Sequence, residues 1–296
     1  MVRFAAIIGH ADEAELLERC IAHHLAIGVD RIFVSLNVDD PRSEDVARAF
    51  EATGRVRVER LEAFARDPFE HFTEAKDRVV AWCDPEWVLF VDSDEFWVPR
   101  TGSIAECAAP SDVDVLDVPM FQAPPVRASD GTIAAVALAD PASLPIIGTP
   151  VMLDADALAR DPDLAPFVSW STKVLARPAF VAQVERGAHG IVSAIGPPRC
   201  ARAADLAIVH VPFTTRERFR RKIARVRARL AAYGDRFAPN QAWHWRRWLA
   251  IDDAGGIDAE FDRNTIAAGR LPLLVADGIV TTAARRFAAD RAPCAR

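Results

Sequence analysis

The stretch Trp87–Phe96, WVLFVDSDEF, carries the clearest signal in the sequence. Its first five residues are apolar, which is typical of a strand buried on both faces of a parallel sheet. Three acidic residues follow at once: Asp92, Asp94 and Glu95. Because ligands of open parallel sheets bind outside the carboxyl ends of the strands, the stretch predicts a ligand site at a strand end.

The spacing of Asp92 and Asp94 favours a bound metal ion. Residues two apart on an extended backbone point the same way, and two neighbouring carboxylates repel each other unless a cation lies between them. Carboxylate oxygens suit Mg²⁺ or Mn²⁺, ions that commonly bind substrate phosphates. An acidic turn that ends a strand is the other interpretation of a D-x-D pair. The apolar strand before the pair and the Glu-Phe after it favour the metal site.

The residues before this stretch alternate between strand and helix patterns. Short apolar runs predict three earlier strands at residues 4–8, 31–36 and 56–58. Helical spacing predicts helices over about residues 12–28, 43–52 and 69–82. Strands separated by helices imply a parallel sheet with right-handed crossovers. Short strand-like runs over residues 110–180 indicate a continuing mixed sheet, and the chain turns helical from residue 214.

Composition excludes several classes of protein. The 296 residues are 51% hydrophobic and 26% charged, which is ordinary for a soluble globular chain. The formal net charge is −6, whereas nucleic-acid binders usually carry a basic excess, so we expect no nucleic-acid partner. The five cysteines lie far apart, and neither a signal-peptide pattern nor a run of about 18 apolar residues is present. These features predict a cytoplasmic protein.

The positive charge comes almost entirely from arginine. Of the 36 basic residues only three are lysines, Lys76, Lys173 and Lys222, a bias that we attribute to GC-rich coding. Residues 216–229 hold eight cations against one acid. They predict a helix whose basic side is solvated, contacts donor phosphates, or lies peripherally on an anionic membrane. The tryptophans of residues 243–248, WHWRRW, fit core packing or stacking on a sugar ring.

The motif and its surroundings resemble the GT-A glycosyltransferases, in particular the family 2-like group related to family 92. The resemblance extends over roughly the first 230 residues. In that group the D-x-D lies at the end of a central strand between an apolar run and Glu-Phe, as in residues 87–96. The group's Lys-Asn-Glu opening corresponds to HADEA at residues 10–14, which keeps only Glu13, and residues 35–40, SLNVDD, are similar to its Asp-Asn-x-Ser pattern.

Two later segments extend the resemblance. Residues 171–178, STKVLARP, resemble a lysine-led strand that ends in Arg-Pro and is followed by a histidine, here His189. Residues 208–219, IVHVPFTTRERF, resemble the group's segment around a C-terminal histidine. That histidine often completes the metal shell in GT-A enzymes. The resemblance therefore implies these ligands for Mn²⁺ or Mg²⁺: Asp92, Asp94 and His210.

The resemblance also implies roles for further residues. Contacts with the nucleotide sugar are expected from Glu13, Asn37, Lys76, Asp92, Lys173 and Arg216. An inverting enzyme needs a base that takes the proton of the acceptor hydroxyl. The candidates for that base are Asp117, Glu185 and His189, and a scaffold role fits each of them as well.

The implied fold is an α/β GT-A fold, in which a Rossmann-like nucleotide-binding half continues into a mixed sheet, with a C-terminal helical extension. We expect the GT-A domain over residues 1–212, with its nucleotide-binding half at about 1–100 and its acceptor half at about 101–212. The helical extension is then residues 213–296.

The implied activity is metal-dependent transfer of a sugar from a nucleotide-sugar donor to a hydroxyl group, with inversion. UDP is the commonest donor nucleotide at such sites, so a UDP-sugar is expected. The acceptor is a glycan, a lipid-linked glycan or a small molecule, which would place the enzyme in polysaccharide biosynthesis or a related pathway. The metal would neutralise charge on the departing diphosphate.

Two other functions stay open. A non-catalytic nucleotide- or carbohydrate-binding protein on a degenerate GT-A fold fits the altered opening at residues 10–14. A nucleotidyltransferase uses a similar sheet and acidic metal site. Such enzymes usually carry a Gly-rich, basic loop after the first strand, where this chain has acidic residues.

Overall fold

The computed structural model describes residues 2–11, 14–37, 40–61, 70–107, 112–133, 138–149, 155–167, 172–237 and 242–289. Glu13, predicted to contact the nucleotide sugar, lies outside the described residues. The backbone of Asn37 is described as the end of a strand, and its side chain is outside the description.

Short strands occur along the described part of the chain from residue 4 to residue 281. The strands are β1 (Phe4–Ala11), β2 (Arg31–Asn37), β3 (Val56–Arg60), β4 (Trp87–Asp92), β5 (Glu95–Pro99), β6 (Val115–Val118), β7 (Met120–Gln122), β8 (Val126–Arg127), β9 (Ile146–Ile147), β10 (Lys173–Ala176), β11 (Val181–Val184), β12 (Ile191–Ser193), β13 (Cys200–Arg202), β14 (Leu206–His210), β15 (Ile266–Ala267) and β16 (Val280–Thr281). The α-helices are α1 (Ala14–Ala26), α2 (Pro41–Ala49), α3 (His71–Cys83), α4 (Ala155–Arg160), α5 (Arg216–Tyr233), α6 (Trp243–Asp253), α7 (Ile257–Arg263), α8 (Leu271–Ala276) and α9 (Ala283–Ala289).

Seven strands form the central sheet, in the order β13-β6-β10-β4-β1-β2-β3. The strands β1 to β4 are mutually parallel, as their alternation with helices predicted. Strand β10 runs antiparallel to both of its neighbours, β4 and β6, so the sheet is mixed beyond β4. The prediction of an α/β fold whose parallel half continues into a mixed sheet is therefore confirmed.

The central strands are buried on both faces, which explains their continuous apolar runs. Alternate residues of a strand point to opposite faces, and in β1 the side chains of Phe4, Ala6 and Ile8 pack in the cluster that contains the apolar side of α1. The side chains of Ala5 and Ile7 pack on the other face, against α3. Two helical layers thus hold the strand ends in fixed positions.

A smaller three-stranded sheet brings the C-terminal half of the chain to the D-x-D motif. Its order is β5-β14-β7, with β14 antiparallel to β5 and parallel to β7. The register places His210 opposite Glu95 on one side and opposite Gln122 on the other. The histidine predicted from the flanking pattern therefore lies beside the acidic turn.

The C-terminal helices pack on one another through aromatic residues. Phe219 on α5, Trp248 on α6 and Phe261 on α7 meet in one buried cluster. The N-cap of α5 is Thr215, whose hydroxyl accepts a hydrogen bond from the backbone nitrogen of Arg218 at 3.2 Å. The boundary at residue 213 between domain and extension stays a prediction.

Three of the eight cations of α5 form ion pairs with acidic residues of the following helices. The pairs are Arg216 with Asp262, Arg220 with Asp258, and Arg227 with both Asp252 and Asp253. These contacts tie α5 to α6 and α7, and they reduce the positive charge that α5 could offer to an anionic membrane. In the described part of the chain no helix has the length and apolar character that crossing a bilayer requires.

The buried histidine of α1 makes the stability depend on pH. His24 is fully buried, its Nδ1 lies 2.8 Å from the carbonyl oxygen of Cys20, and burial lowers its pKa from 6.5 to about 3. Below pH 6.5 the imidazole of His24 therefore binds a proton in the unfolded chain but stays neutral in the folded chain. Stability is lost as the pH falls from 6.5 towards 3. We expect the free energy of unfolding to fall by about 1.4 kcal/mol per pH unit from this residue alone.

Urea unfolding of the wild type and of His24→Gln over this pH range measures the effect. The pH dependence should be shallower in the variant. The same slope in both proteins would contradict a neutral, buried His24.

Candidate active site

The acidic residues Asp92, Asp94 and Glu95, with Ser93, form a segment that we call the acidic turn. It lies at the carboxyl end of the central strands. Strand β4 ends at Asp92, Ser93 and Asp94 form a turn, and β5 begins at Glu95. On the neighbouring strand β1, Gly9 lies opposite Asp92. A Cβ atom at Gly9 would come within 2.7 Å of Nε2 of His71, so the missing side chain lets this imidazole lie over the end of β1.

A buried lysine ammonium lies between two of the three acids. Lys173, at the start of β10, is 1% exposed, and its Nζ lies 2.6 Å from Oδ2 of Asp92 and 2.9 Å from Oε2 of Glu95. The same Glu95 oxygen accepts a hydrogen bond from the backbone nitrogen of Asp92 at 3.0 Å. These three contacts close the turn after β4 and join β10 to it.

This arrangement shifts the pKa of each partner. Burial raises the pKa of Glu95 to about 8, although the Lys173 ammonium acts against the shift. Burial alone would raise the pKa of Asp92 too, but Lys173 lowers it below its usual value. In turn, Asp92 and Glu95 raise the pKa of Lys173 although burial alone would lower it. Asp92 and Lys173 therefore form the charged pair, and Glu95 is the carboxyl whose charge is least favoured.

Asp94 has partners of its own on the other side of the turn. Its Oδ2 lies 3.2 Å from Nζ of Lys222 on α5 and 3.4 Å from Nε2 of His210. Burial alone would raise the pKa of Asp94, but Lys222 and His210 hold it well below its usual value. The amide nitrogen of Gln122 lies 2.9 Å from Nδ1 of His210. When that amide donates to Nδ1, the imidazole presents an Nε2–H to Asp94.

The predicted metal ligands are only partly brought together. Asp94 and His210 are in contact, whereas Asp92 faces Lys173. The backbone is extended only as far as Asp92 and then turns, so the two carboxylates do not point the same way as their spacing predicted. Within the described ranges no group of three or more His, Cys, Asp or Glu side chains is arranged to hold a metal ion. The two carboxylates are nevertheless of the kind that Mn²⁺ and Mg²⁺ bind.

Lys76 and Arg216, which were predicted to contact the nucleotide sugar, bind other groups of the protein in this structure. The ammonium of Lys76 donates to the carbonyl oxygen of Val181 at 2.9 Å and pairs with Asp77 at 2.6 Å, which ties α3 to β11. The guanidinium of Arg216 donates to Asp258 and Asp262 of α7. Neither Lys76 nor Arg216 lines the cavity at the D-x-D motif.

The three candidates for the catalytic base separate in the structure. Asp117 on β6 and Glu185 after β11 do not line the cavity, whereas His189 does. Nδ1 of His189 lies 2.7 Å from the carbonyl oxygen of Thr172. Since a carbonyl oxygen can only accept, Nδ1 carries the proton and Nε2 is the basic nitrogen. Burial, and then Lys173, lowers the pKa of His189, so its imidazole is neutral at pH 7.

The acidic turn opens into a cavity of about 950 Å³ that reaches from the ends of β1 and β4 to α5 and α6. Several lining residues were not singled out from the sequence: His10, His71, Gln122, Arg186 and Glu260. His10 directly follows the apolar run of β1, a position that could have marked it. Gln122 and Glu260 enter the wall through tertiary packing, for which the sequence gives no local signal.

Comparisons with known proteins leave the family open. No family model matches the sequence, and no curated protein matches it either. A mannosyltransferase from Pyrobaculum calidifontis, solved in complex with GDP-Man and Mn²⁺, is 14% identical over 97% of this chain and 79% of that chain, with a TM-score of 0.35.

A nucleotidyl transferase from Methanothermobacter is 19% identical over 40% of this chain, with a TM-score of 0.27, and the matched part spans 64% of that chain. Because both TM-scores are below 0.5, neither similarity adds support for a function. The relationship to the family 2-like group and to family 92 stays a prediction.

Removing the ammonium at the centre of the turn should be costly. Lys173→Met removes the cation that contacts the buried carboxyl of Glu95 and the half-exposed carboxylate of Asp92, and we expect a loss of about 3–5 kcal/mol in the free energy of unfolding. Urea unfolding at neutral pH measures it. Adding Glu95→Gln to Lys173→Met should restore part of the lost stability, since it removes one of the two acids that lose their lysine partner.

Arg48→Met is the matched control because it breaks an exposed pair with Glu44, and it should cost less than about 1 kcal/mol. A Lys173→Met protein as stable as this control would contradict the buried pairing.

Proposed function

We propose that the chain is a glycosyltransferase that moves a sugar from a nucleotide-sugar donor to a hydroxyl group of a glycan, a lipid-linked glycan or a small molecule. The observation that carries the proposal is the acidic turn with its histidine and lysines, which lies at the carboxyl end of the central strands and opens into a large cavity. Ligands of α/β sheets bind at this edge. A cavity of about 950 Å³ lies at the upper end of the usual range for small-molecule sites.

The donor's diphosphate would lie beside the turn. Charge develops on the diphosphate as the sugar leaves, and fixed positive groups stabilise it in the transition state. Lys222, which contacts Asp94, and Arg225 both line the cavity and supply such charge. We propose a UDP-sugar as the donor, with a GDP-sugar as the alternative that the titration below decides.

Mn²⁺ or Mg²⁺ would be held by Asp94 and His210, with Asp92 acting through water, and would supply Lewis-acid neutralisation of the leaving group. Lys222 now lies on Asp94, where it competes with such an ion. If an ion displaced it, the ammonium would be free to bind the diphosphate.

His189 is the base that we propose for the acceptor hydroxyl. Its Nδ1 is held by the carbonyl oxygen of Thr172, so the neutral ring offers Nε2 as the proton acceptor. Attack by the activated hydroxyl on the face opposite the diphosphate would invert the configuration of the sugar.

A non-catalytic binding protein is the second candidate. It is favoured by the observation that Asp92 and Asp94 each already have a lysine partner within the chain. Such a protein would bind a nucleotide without requiring a metal, whereas the proposed enzyme requires one.

Calorimetric titration with UDP and GDP, with and without Mn²⁺, tests the proposed function. We expect one of the two nucleotides to bind the wild type only when Mn²⁺ is present, and Asp94→Asn to weaken that binding by an order of magnitude or more. In Lys222→Gln, Mn²⁺ alone should bind more tightly than in the wild type because the competing ammonium is gone.

Arg221→Gln is the control, because Arg221 is an exposed neighbour of Lys222 that does not line the cavity. It should bind metal and nucleotide like the wild type. Failure of both nucleotides to bind would contradict the transferase proposal. Binding that needs neither metal nor Asp94 would favour the non-catalytic protein.

A further inference from the structure

One face of α5 lines the cavity and extends away from the acidic turn. Lys222, Arg225, Arg229 and Tyr233 recur three or four positions apart, so they lie on one side of the helix, and all four line the cavity. A helix rises about 1.5 Å per residue. Since Lys222 contacts Asp94, Arg229 lies about 10 Å further along the axis and Tyr233 about 16 Å. The cavity therefore has a second end well beyond the place proposed for the diphosphate.

Aromatic side chains line this second end. Trp243 and Trp245 of α6 are half-buried and face the cavity together with Tyr233 and Phe237. The third tryptophan of the WHWRRW segment, Trp248, also lines the cavity but is buried in the cluster with Phe219. Two of the three tryptophans thus leave part of their surface to a ligand, and such rings stack on sugars and other flat or apolar ring faces.

The positive charge of Arg229 at this end of the cavity favours an anionic ligand. The guanidinium of Arg229 lies 5.5 Å from the ring centroid of Trp245. Burial lowers the pKa of Arg229 and the Asp92 carboxylate raises it, although within the described residues the two form no ion pair. The cavity's carboxylates are matched to other cations: Asp92 to Lys173, Asp94 to Lys222, and Glu260 to Arg247. A half-buried cation that makes no direct ion pair is unfavourable, and a guanidinium next to an indole is well placed to bind a carboxylate or phosphate with two hydrogen bonds.

A buried ion pair holds the wall of this end in place. Glu260 of α7 is fully buried and accepts hydrogen bonds from both terminal nitrogens of Arg247 on α6 and from the amide of Asn264 at 3.1 Å. The bidentate contact fixes α6 against α7. The tryptophans of α6 are therefore presented on a rigid helix, which lowers the cost of ordering them around a ligand.

We propose that this end is the acceptor site, and that it takes an acceptor in which a ring lies next to an anionic group, phosphate or carboxylate, about 10 Å from the reacting hydroxyl. The proposal rests on the proposed function, since it names the acceptor of the same cavity. Arg229 binds the anion, and Trp243 and Trp245 contact the ring.

Three disaccharide probes test the acceptor class: maltose, maltose 1-phosphate and maltobionate, the last two carrying a phosphate and a carboxylate. Their binding is followed by tryptophan fluorescence and calorimetry in the presence of Mn²⁺ and the nucleotide that binds. We expect at least one anionic probe to bind the wild type on the order of tenfold more tightly than maltose. Which of the two it is identifies the anion.

Arg229→Gln should remove this preference, and Arg229→Lys should keep part of it because the charge remains without the planar fork. Trp245→Phe should weaken the fluorescence change. Arg227→Gln is the matched control on the same helix, where its side chain pairs with Asp252 and Asp253, and it should keep the full preference.

Equal affinity for all three probes, no binding of any probe, or a full preference in Arg229→Gln would overturn the proposal. Nucleotide binding is measured on every variant. If the wild type binds nucleotide yet shows no preference for an anionic probe, the acceptor class alone is wrong. If Arg229→Gln loses nucleotide binding, Arg229 belongs to the donor site and the assignment is overturned.

Discussion

The ammonium of Lys173, buried between Asp92 and Glu95, is the contact on which the site depends. Three acids within four residues would repel one another at the end of a buried strand. The lysine neutralises part of that charge, closes the turn after β4 and joins β10 to it. Asp94 is thereby directed away from Asp92, towards His210 and α5.

Lysine is rare in this chain, because 33 of the 36 basic residues are arginines. Two of its three lysines contact the D-x-D carboxylates. A lysine offers a compact point charge that can leave one oxygen for another, whereas an arginine holds a carboxylate through a planar, bidentate contact. Where coding bias favours arginine, lysine at these two positions fits a requirement for a small and movable cation. In the proposed enzyme, Lys222 would be free to bind the diphosphate if a metal ion took its place on Asp94.

Much of the fold was predictable because its signals are local. Apolar runs alternating with helical spacing gave the four parallel strands, and the strand before Asp92 located the acids at a sheet edge. The pairings were not predictable. Lys222 meets Asp94 across 128 positions of sequence. Lys76 and Arg216 were expected at the nucleotide. Their partners on β11 and α7 are distant in sequence and could not be predicted from the residues around them. The turn at Ser93 also redirected a pair of carboxylates that a simple strand would have aligned.

The central claim is that the acidic turn supports transfer of a sugar with release of a nucleoside diphosphate. Phosphorus NMR of the protein with UDP- and GDP-sugars, Mn²⁺ and a mixture of neutral and anionic acceptors tests it most directly. The account predicts release of UDP or GDP by the wild type and none by Asp94→Asn. Absence of diphosphate release by the wild type would contradict it. So would formation of pyrophosphate from UTP or GTP and a sugar 1-phosphate, which would identify a nucleotidyltransferase instead.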